Sequence, residues 1–149
     1  MAGTIVILNG PNLNMLGARE PEIYGSQTLD DIRRICEECA QSLSYKIDFR
    51  QSNSEGELVG LIQQSATAQG LIINPAGLSH TSIALMDALL SIKIPIVEVH
   101  LSNIHKRERF RHHSYTAKAS HGVITGFGGY GYLLAIYAVN DLLKNQKSA

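Results

Sequence analysis

A chain of 149 residues, 44% of them hydrophobic, can bury roughly two-thirds of the surface its unfolded form exposes, so neither disulfide nor metal is needed to hold it. Its 13 basic and 13 acidic side chains cancel, which excludes the strong field of a nucleic-acid or anionic-membrane binder and favours a small molecule as partner. No stretch approaches the roughly 20 apolar residues that a membrane helix needs.

The first predicted element is a strand over 4–8, Thr4-Ile5-Val6-Ile7-Leu8. This run is too short for a signal sequence and has neither a basic lead nor a cleavage site, so a cytoplasmic protein is expected. Asn9-Gly10-Pro11-Asn12-Leu13-Asn14 follows it, and then an irregular connection over 17–25 that is rich in functional groups. Connections of that size often serve as binding loops or lids, and a lid is expected at about 18–25. Thr28 and Asp31 form a capping box that opens a first helix, on which Leu29, Ile32, Ile35, Cys36, Cys39 and Leu43 share one face. Cys36-Glu37-Glu38-Cys39 has the spacing of a redox motif, but such a pair sits at a helix start after a strand. Inside this pattern both cysteines read as small hydrophobes of the core.

Further strands are expected over 46–50, 70–73, 94–99 and 122–125. Helices are expected over about 57–68, 81–91 and 130–144, with a short one near 105–112. Most of the strands are nearly continuously apolar, as parallel strands covered on both faces are. Five βα alternations without a linker predict one α/β domain over 1–149, a flavodoxin-like doubly wound five-stranded parallel sheet with helices on both faces. Ligands of such sheets bind beyond the carboxyl ends of the strands, near the point where strand order reverses. Polar segments fall there: 9–14 after the first strand, Asn74-Pro75 with Ser79-His80-Thr81-Ser82 after the third, and His100-Leu101-Ser102-Asn103 after the fourth. Each alone also suits a turn or helix cap; three converging on one rim predict a site.

Two pairs could carry chemistry. Making a tyrosine an effective base at neutral pH takes roughly 4 kcal/mol of differential stabilisation. A guanidinium about 4 Å away, at an effective dielectric of about 20, supplies a gross interaction of that order, so Arg19 could activate Tyr24; the alternative is an aromatic anchor beside an exposed arginine. On the fourth strand, alternation sends Glu98 and His100 to one side, so the carboxylate could fix the imidazole as a general acid; the alternative is a structural, hydrogen-bonded histidine. Arg107, Arg109 and Arg111 could each offer a planar fork to a substrate carboxylate, and spacing does not choose among them. His105, His112 and His113 lack the carboxylate or cysteine that would complete a metal site. Gly126-Phe127-Gly128-Gly129-Tyr130-Gly131 satisfies G-x-G-x-x-G, but no second strand with an acidic end follows it. A tight turn beside the site is expected there instead.

Taken together, Gly10-Pro11-Asn12-Leu13-Asn14, Gly17-Ala18-Arg19-Glu20-Pro21 with Tyr24-Gly25, Asn74-Pro75, Ser79-His80-Thr81-Ser82 with Asp87, and Glu98-Val99-His100-Leu101-Ser102-Asn103 closely resemble the type II 3-dehydroquinate dehydratases. Arg107-Glu108-Arg109-Phe110-Arg111 and the glycine-rich turn extend the resemblance over nearly the whole chain. It implies dehydration of 3-dehydroquinate to 3-dehydroshikimate through an enolate, the step of the shikimate pathway of aromatic amino acid biosynthesis that a catabolic quinate route also uses, with no metal and no organic cofactor. It further implies that Tyr24 removes the proton alpha to the ketone with Arg19 supporting its ionised form, and that Asn12 positions a water at the enolate. By the same resemblance His100, held by Glu98, protonates the departing hydroxyl. Asn74, His80, Arg111 and the Leu101-Ser102 backbone bind substrate, and Asp87 reaches this site or a neighbouring subunit's. A homododecamer built as a tetramer of trimers is implied as well. Met15 and Ser54 differ from the residues common in that family without touching the proposed chemistry.

Two rivals remain. A Schiff-base lyase needs a desolvated lysine, and neither Lys46 nor Lys93 sits at a strand's carboxyl end. A receiver or flavin-binding domain wants an acidic or hydroxyl-rich loop after the first strand, where this chain has asparagines.

Overall fold

Strands β1 (Thr4–Asn9), β2 (Lys46–Gln51), β3 (Gly70–Asn74), β4 (Ile96–His100) and β5 (Gly122–Thr125) alternate with helices α1 (Leu29–Ser42), α2 (Glu55–Gln64), α3 (Ile83–Leu90) and α4 (Tyr130–Ser148). The computed structural model describes residues 3–18, 22 and 26–148, with 147 and 148 by backbone alone. All strand pairings are parallel, in the order β2-β1-β3-β4-β5. The chain therefore leaves β1 to one side and returns on the other, and this is the flavodoxin-like, doubly wound α/β sheet expected.

Strand alternation divides the core in two. Ile5, Ile7, Ile72, Val97 and Val99 pack on one face with Ile32 and Cys36 of α1 and Ala135, Ile136 and Val139 of α4. Val6, Leu8, Leu71, Ile73 and Ile96 pack on the other with Leu58 and Ile62 of α2 and Leu85 and Leu89 of α3. Burial on both faces explains the continuous apolar runs of β1, β3 and β4. The edge strands β2 and β5 are more open. Cys36 is buried in this core and Cys39 packs against it, both as free thiols, so the redox-like spacing carries no disulfide.

Local chemistry sets the boundaries. The Thr28 hydroxyl accepts from the Asp31 amide and the Asp31 carboxylate accepts from the Thr28 amide, the expected capping box. The second helix starts earlier than the pattern suggested because Ser54 caps it through Glu57 N, and it ends in a 3₁₀ turn over Ser65–Thr67. The third starts later, at Ile83, where Ser82 caps Leu85 N. β4 begins at Ile96 rather than 94 because Pro95 has no N–H to donate, and the Ile96 amide turns instead to His121 Nδ1 at 3.1 Å. The short helix expected over 105–112 is two separate 3₁₀ turns, Ile104–Lys106 and Arg109–Arg111, since the segment has too few apolar residues to bury a helical face.

Candidate active site

The reversal of strand order lies between β1 and β3, whose last residues Asn9 and Asn74 are register partners. Beyond them the two chains nearly touch. Gly10 N donates to Asn74 O at 2.8 Å, and a Cβ on Gly10 would lie 2.5 Å from the Pro75 carbonyl oxygen, so only glycine fits. A cavity of about 170 Å³ opens there, with Asn12, Asn74, His80, His100, Ser102, Arg107 and Arg111 among its polar lining and Leu13, Leu16, Leu101 and Ile104 among its apolar wall.

His100 ends β4 and is 4% exposed, while Glu98, two residues back, is fully buried. Glu98 Oε2 accepts from His100 Nε2 at 2.7 Å and from Ser114 Oγ at 2.8 Å. Its other oxygen accepts from Thr116 Oγ1. A buried carboxylate is tolerated only when so satisfied, and three donors hold this one behind the imidazole. The His80 ring stacks near that of His100, centroids 6.3 Å apart and planes 18° apart. His80 Nδ1 donates to the His113 carbonyl at 2.7 Å, so a neutral ring offers Nε2 as an acceptor. Burial lowers the His80 pKa, the His113 bond opposes that, and the charges of His100 and Arg111 add to the lowering.

The first loop is braced from β2. Asn53 Oδ1 accepts from Asn12 N at 3.0 Å, and Gln51 Nε2 donates to Gly10 O at 3.2 Å. Asn12 adopts φ 72°, a left-handed conformation that asparagine tolerates, and its exposed side chain faces the cavity. Met15 lines the mouth, and Ser54 caps the second helix.

Among the three arginines spacing could not separate, Arg107 and Arg111 line the cavity and Arg109 does not. Glu108 lies between them, accepting from Arg111 Nε at 2.9 Å. Its carboxyl is held below the usual range by its own backbone amide and by Arg111. Arg107 Nη1 also donates to Ser102 Oγ at 3.3 Å. Asp87 sits on the exposed face of α3 and is not among the residues that line its own chain's cavity. Arg19, Tyr24 and most of the expected 18–25 lid lie outside the described residues.

The glycine-rich turn closes the rim rather than opening a nucleotide site. Gly126 (φ 100°) and Gly128 (φ 58°) take conformations other residues resist, and Gly128 N donates to Leu101 O at 2.9 Å. Among the described residues no group of histidine, cysteine and carboxylate side chains could hold a metal ion, and no helix is long and apolar enough to cross a membrane.

Sequence reasoning missed several supporting residues, Gln51 and Asn53 beneath the first loop among them. Ser114 and Thr116 back Glu98, Arg50 O accepts from Asn9 Nδ2 at 2.9 Å, and Tyr132 joins Asn9 to Asn74. The one available signal was a tyrosine on the otherwise apolar inward face of a helix.

A carboxylate-held imidazole, a pair of guanidiniums and two asparagines surround a small cavity at the switch point of a flavodoxin-like α/β sheet, the place where enzymes of this fold class bind small ligands. The pattern of the family described as dehydroquinase class II matches residues 3–140. The chain is 59% identical over 135 residues to a 3-dehydroquinate dehydratase 1 of Bradyrhizobium diazoefficiens, covering 89% of this chain and 87% of that protein. It is 53% identical over 148 residues to a 3-dehydroquinate dehydratase of Rhizobium meliloti, covering 99% and 100%. A solved type II dehydroquinase from Propionibacterium acnes superimposes with a TM-score of 0.89 at 44% identity, over 94% of this chain and 98% of that one. The chain belongs to the class II dehydroquinase family.

Proposed function

We propose that this chain, a hydro-lyase by family, dehydrates 3-dehydroquinate to 3-dehydroshikimate in the shikimate pathway by proton transfer above His100. Tyr24, ionised beside Arg19, takes the proton alpha to the ketone. The resulting enolate oxygen is met by a water that Asn12 holds. The carbon–oxygen bond beta to the ketone then breaks, and the hydroxyl leaves as water with a proton from His100. That proton sits on Nδ1, because Nε2 is engaged with Glu98. Two protons change hands, one onto Tyr24 and one from His100, and solvent exchange between them resets the site.

The buried Glu98–His100 pair is the observation that carries this reading, since it orients one ring nitrogen toward a cavity whose other walls suit a carboxylated, hydroxylated ring. Arg111, Asn74, His80 and the Leu101-Ser102 backbone bind the substrate. The whole chain acts as one catalytic domain, cytoplasmic, with 18–25 closing as a lid. Asp87 serves a neighbouring subunit's site in a homododecamer, a tetramer of trimers. The exposed apolar side chains Ile83 and Leu90 that flank Asp87 on α3 support a subunit contact there.

Purified protein mixed with 3-dehydroquinate should generate the conjugated enone, and Tyr24→Phe should lose turnover while still binding substrate. Borohydride added during turnover should leave every lysine unmodified. A lysine adduct, or a fully active Tyr24→Phe, would overturn this chemistry.

A further inference from the structure

The polar groups at the switch point include a buried chain of hydrogen bonds that the proposed chemistry does not use. Tyr132, fully buried on α4, donates from its hydroxyl to Asn9 Oδ1 at 2.7 Å and accepts from Asn74 Nδ2 at 2.9 Å. Asn9, also fully buried, donates from Nδ2 to Arg50 O at 2.9 Å. Asn74 Oδ1 accepts from Ala76 N at 3.1 Å. Of these side chains only that of Asn74 belongs to a residue lining the cavity.

The two ends of this chain are backbone groups whose polarity cannot change: a carbonyl on β2, and the N–H of Ala76 in the 3₁₀ turn Ala76–His80, at φ 54°. The Arg50 carbonyl accepts only, so Asn9 must turn its NH₂ toward β2 and its oxygen toward Tyr132. The phenol must then donate to Asn9, which leaves its lone pairs for the NH₂ of Asn74. At the far end the Ala76 amide demands the Asn74 oxygen. Flipping Asn74 would set oxygen against the lone pairs of Tyr132 and NH₂ against an N–H, losing both bonds. Burial pushes the Tyr132 phenol above its ordinary range, so it remains a donor at any working pH.

We infer that Tyr132 and Asn9 are positioning residues that fix the Asn74 amide so that its second Nδ2 hydrogen faces the cavity, making that subsite a donor to an oxygen of the substrate. The inference rests on the substrate-binding reading of Asn74. Reversed, the amide would present a lone pair and repel the same oxygen.

Steady-state kinetics with 3-dehydroquinate on Tyr132→Phe, Asn9→Ala, Asn74→Ala and the doubles with Asn74→Ala test it, with thermal melts to establish folding. Tyr132→Phe and Asn9→Ala should each raise KM about tenfold with kcat changed far less, and neither should raise KM further once Asn74 is alanine. If Asn74→Ala leaves KM unchanged, the substrate-binding reading itself fails. If Asn74→Ala raises KM but Tyr132→Phe does not, or adds its effect in full, the positioning role fails while that reading stands. Either single variant that folds decides the question. In the wild type, one of the two Asn74 side-chain NH₂ proton resonances should shift on binding the product 3-dehydroshikimate; a shift of neither would overturn the inference without any substitution.

Discussion

Glu98 and His100 lie two residues apart on β4 and meet at 2.7 Å, with the carboxylate fully buried and held from behind by Ser114 and Thr116. The contact ties the pleat of a strand to the orientation of an imidazole: alternation puts both side chains on one side, and burial allows the carboxylate to face nothing but donors. Replacing Glu98 with glutamine keeps the shape but turns an NH₂ toward at least one of those donors. Glu98→Gln should lower kcat by about a hundredfold or more while KM stays within a few fold, as read by steady-state kinetics.

Gly10 controls how closely the β1 and β3 loops approach. Gly10→Ala places a Cβ 2.5 Å from the Pro75 carbonyl oxygen, a backbone atom that cannot swing aside. Stability should fall by about 1–3 kcal/mol, as for other overpacked sites. Activity should fall as well, because Asn12 and Asn74 separate. Urea unfolding and the enone assay on the same preparation check both.

His80 makes stability depend on pH. Burial lowers its folded pKa below about 6.5, the ordinary imidazole value. The unfolded chain therefore takes up the proton first, and stability falls as pH drops from about 6.5 toward the depressed folded value. Above that window His80 contributes no pH dependence. In His80→Asn the urea midpoint should decline less between about pH 7 and pH 5.5 than in the wild type; equal declines would show that His80 titrates normally.

The thiols test the core against the redox spacing. Burial pushes the Cys36 thiol up to about 12 and also raises Cys39, whereas a redox pair needs a stabilised thiolate. Alkylation of the native protein at mild alkaline pH should spare Cys36 until denaturant is added, and activity should be the same under reducing and oxidising conditions.

What could be read from sequence was what depends on near neighbours. The capping box of Thr28 and Asp31, the two-faced apolar runs of β1, β3 and β4, and the Glu98–His100 pairing all follow from periodicity along a few residues. The doubly wound parallel sheet followed once five βα units were recognised. What escaped depends on distant chain segments meeting. Tyr132 reaches Asn9 from 123 residues away, and Thr116 reaches Glu98 from 18, contacts no local pattern encodes. The separation of Arg107 and Arg111 from Arg109 turns on two 3₁₀ turns replacing an expected helix. β4 shifted by two residues because Pro95 cannot donate.

The division of labour between a base and an acid is tested most directly by hydrogen exchange in heavy water. In the proposed mechanism enolate formation does not call on His100, so deuterium should enter 3-dehydroquinate alpha to its ketone in His100→Gln even where no enone appears. Tyr24→Phe should abolish both exchange and elimination. Loss of exchange in His100→Gln to the same extent as elimination, or exchange persisting in Tyr24→Phe, would contradict the assignment.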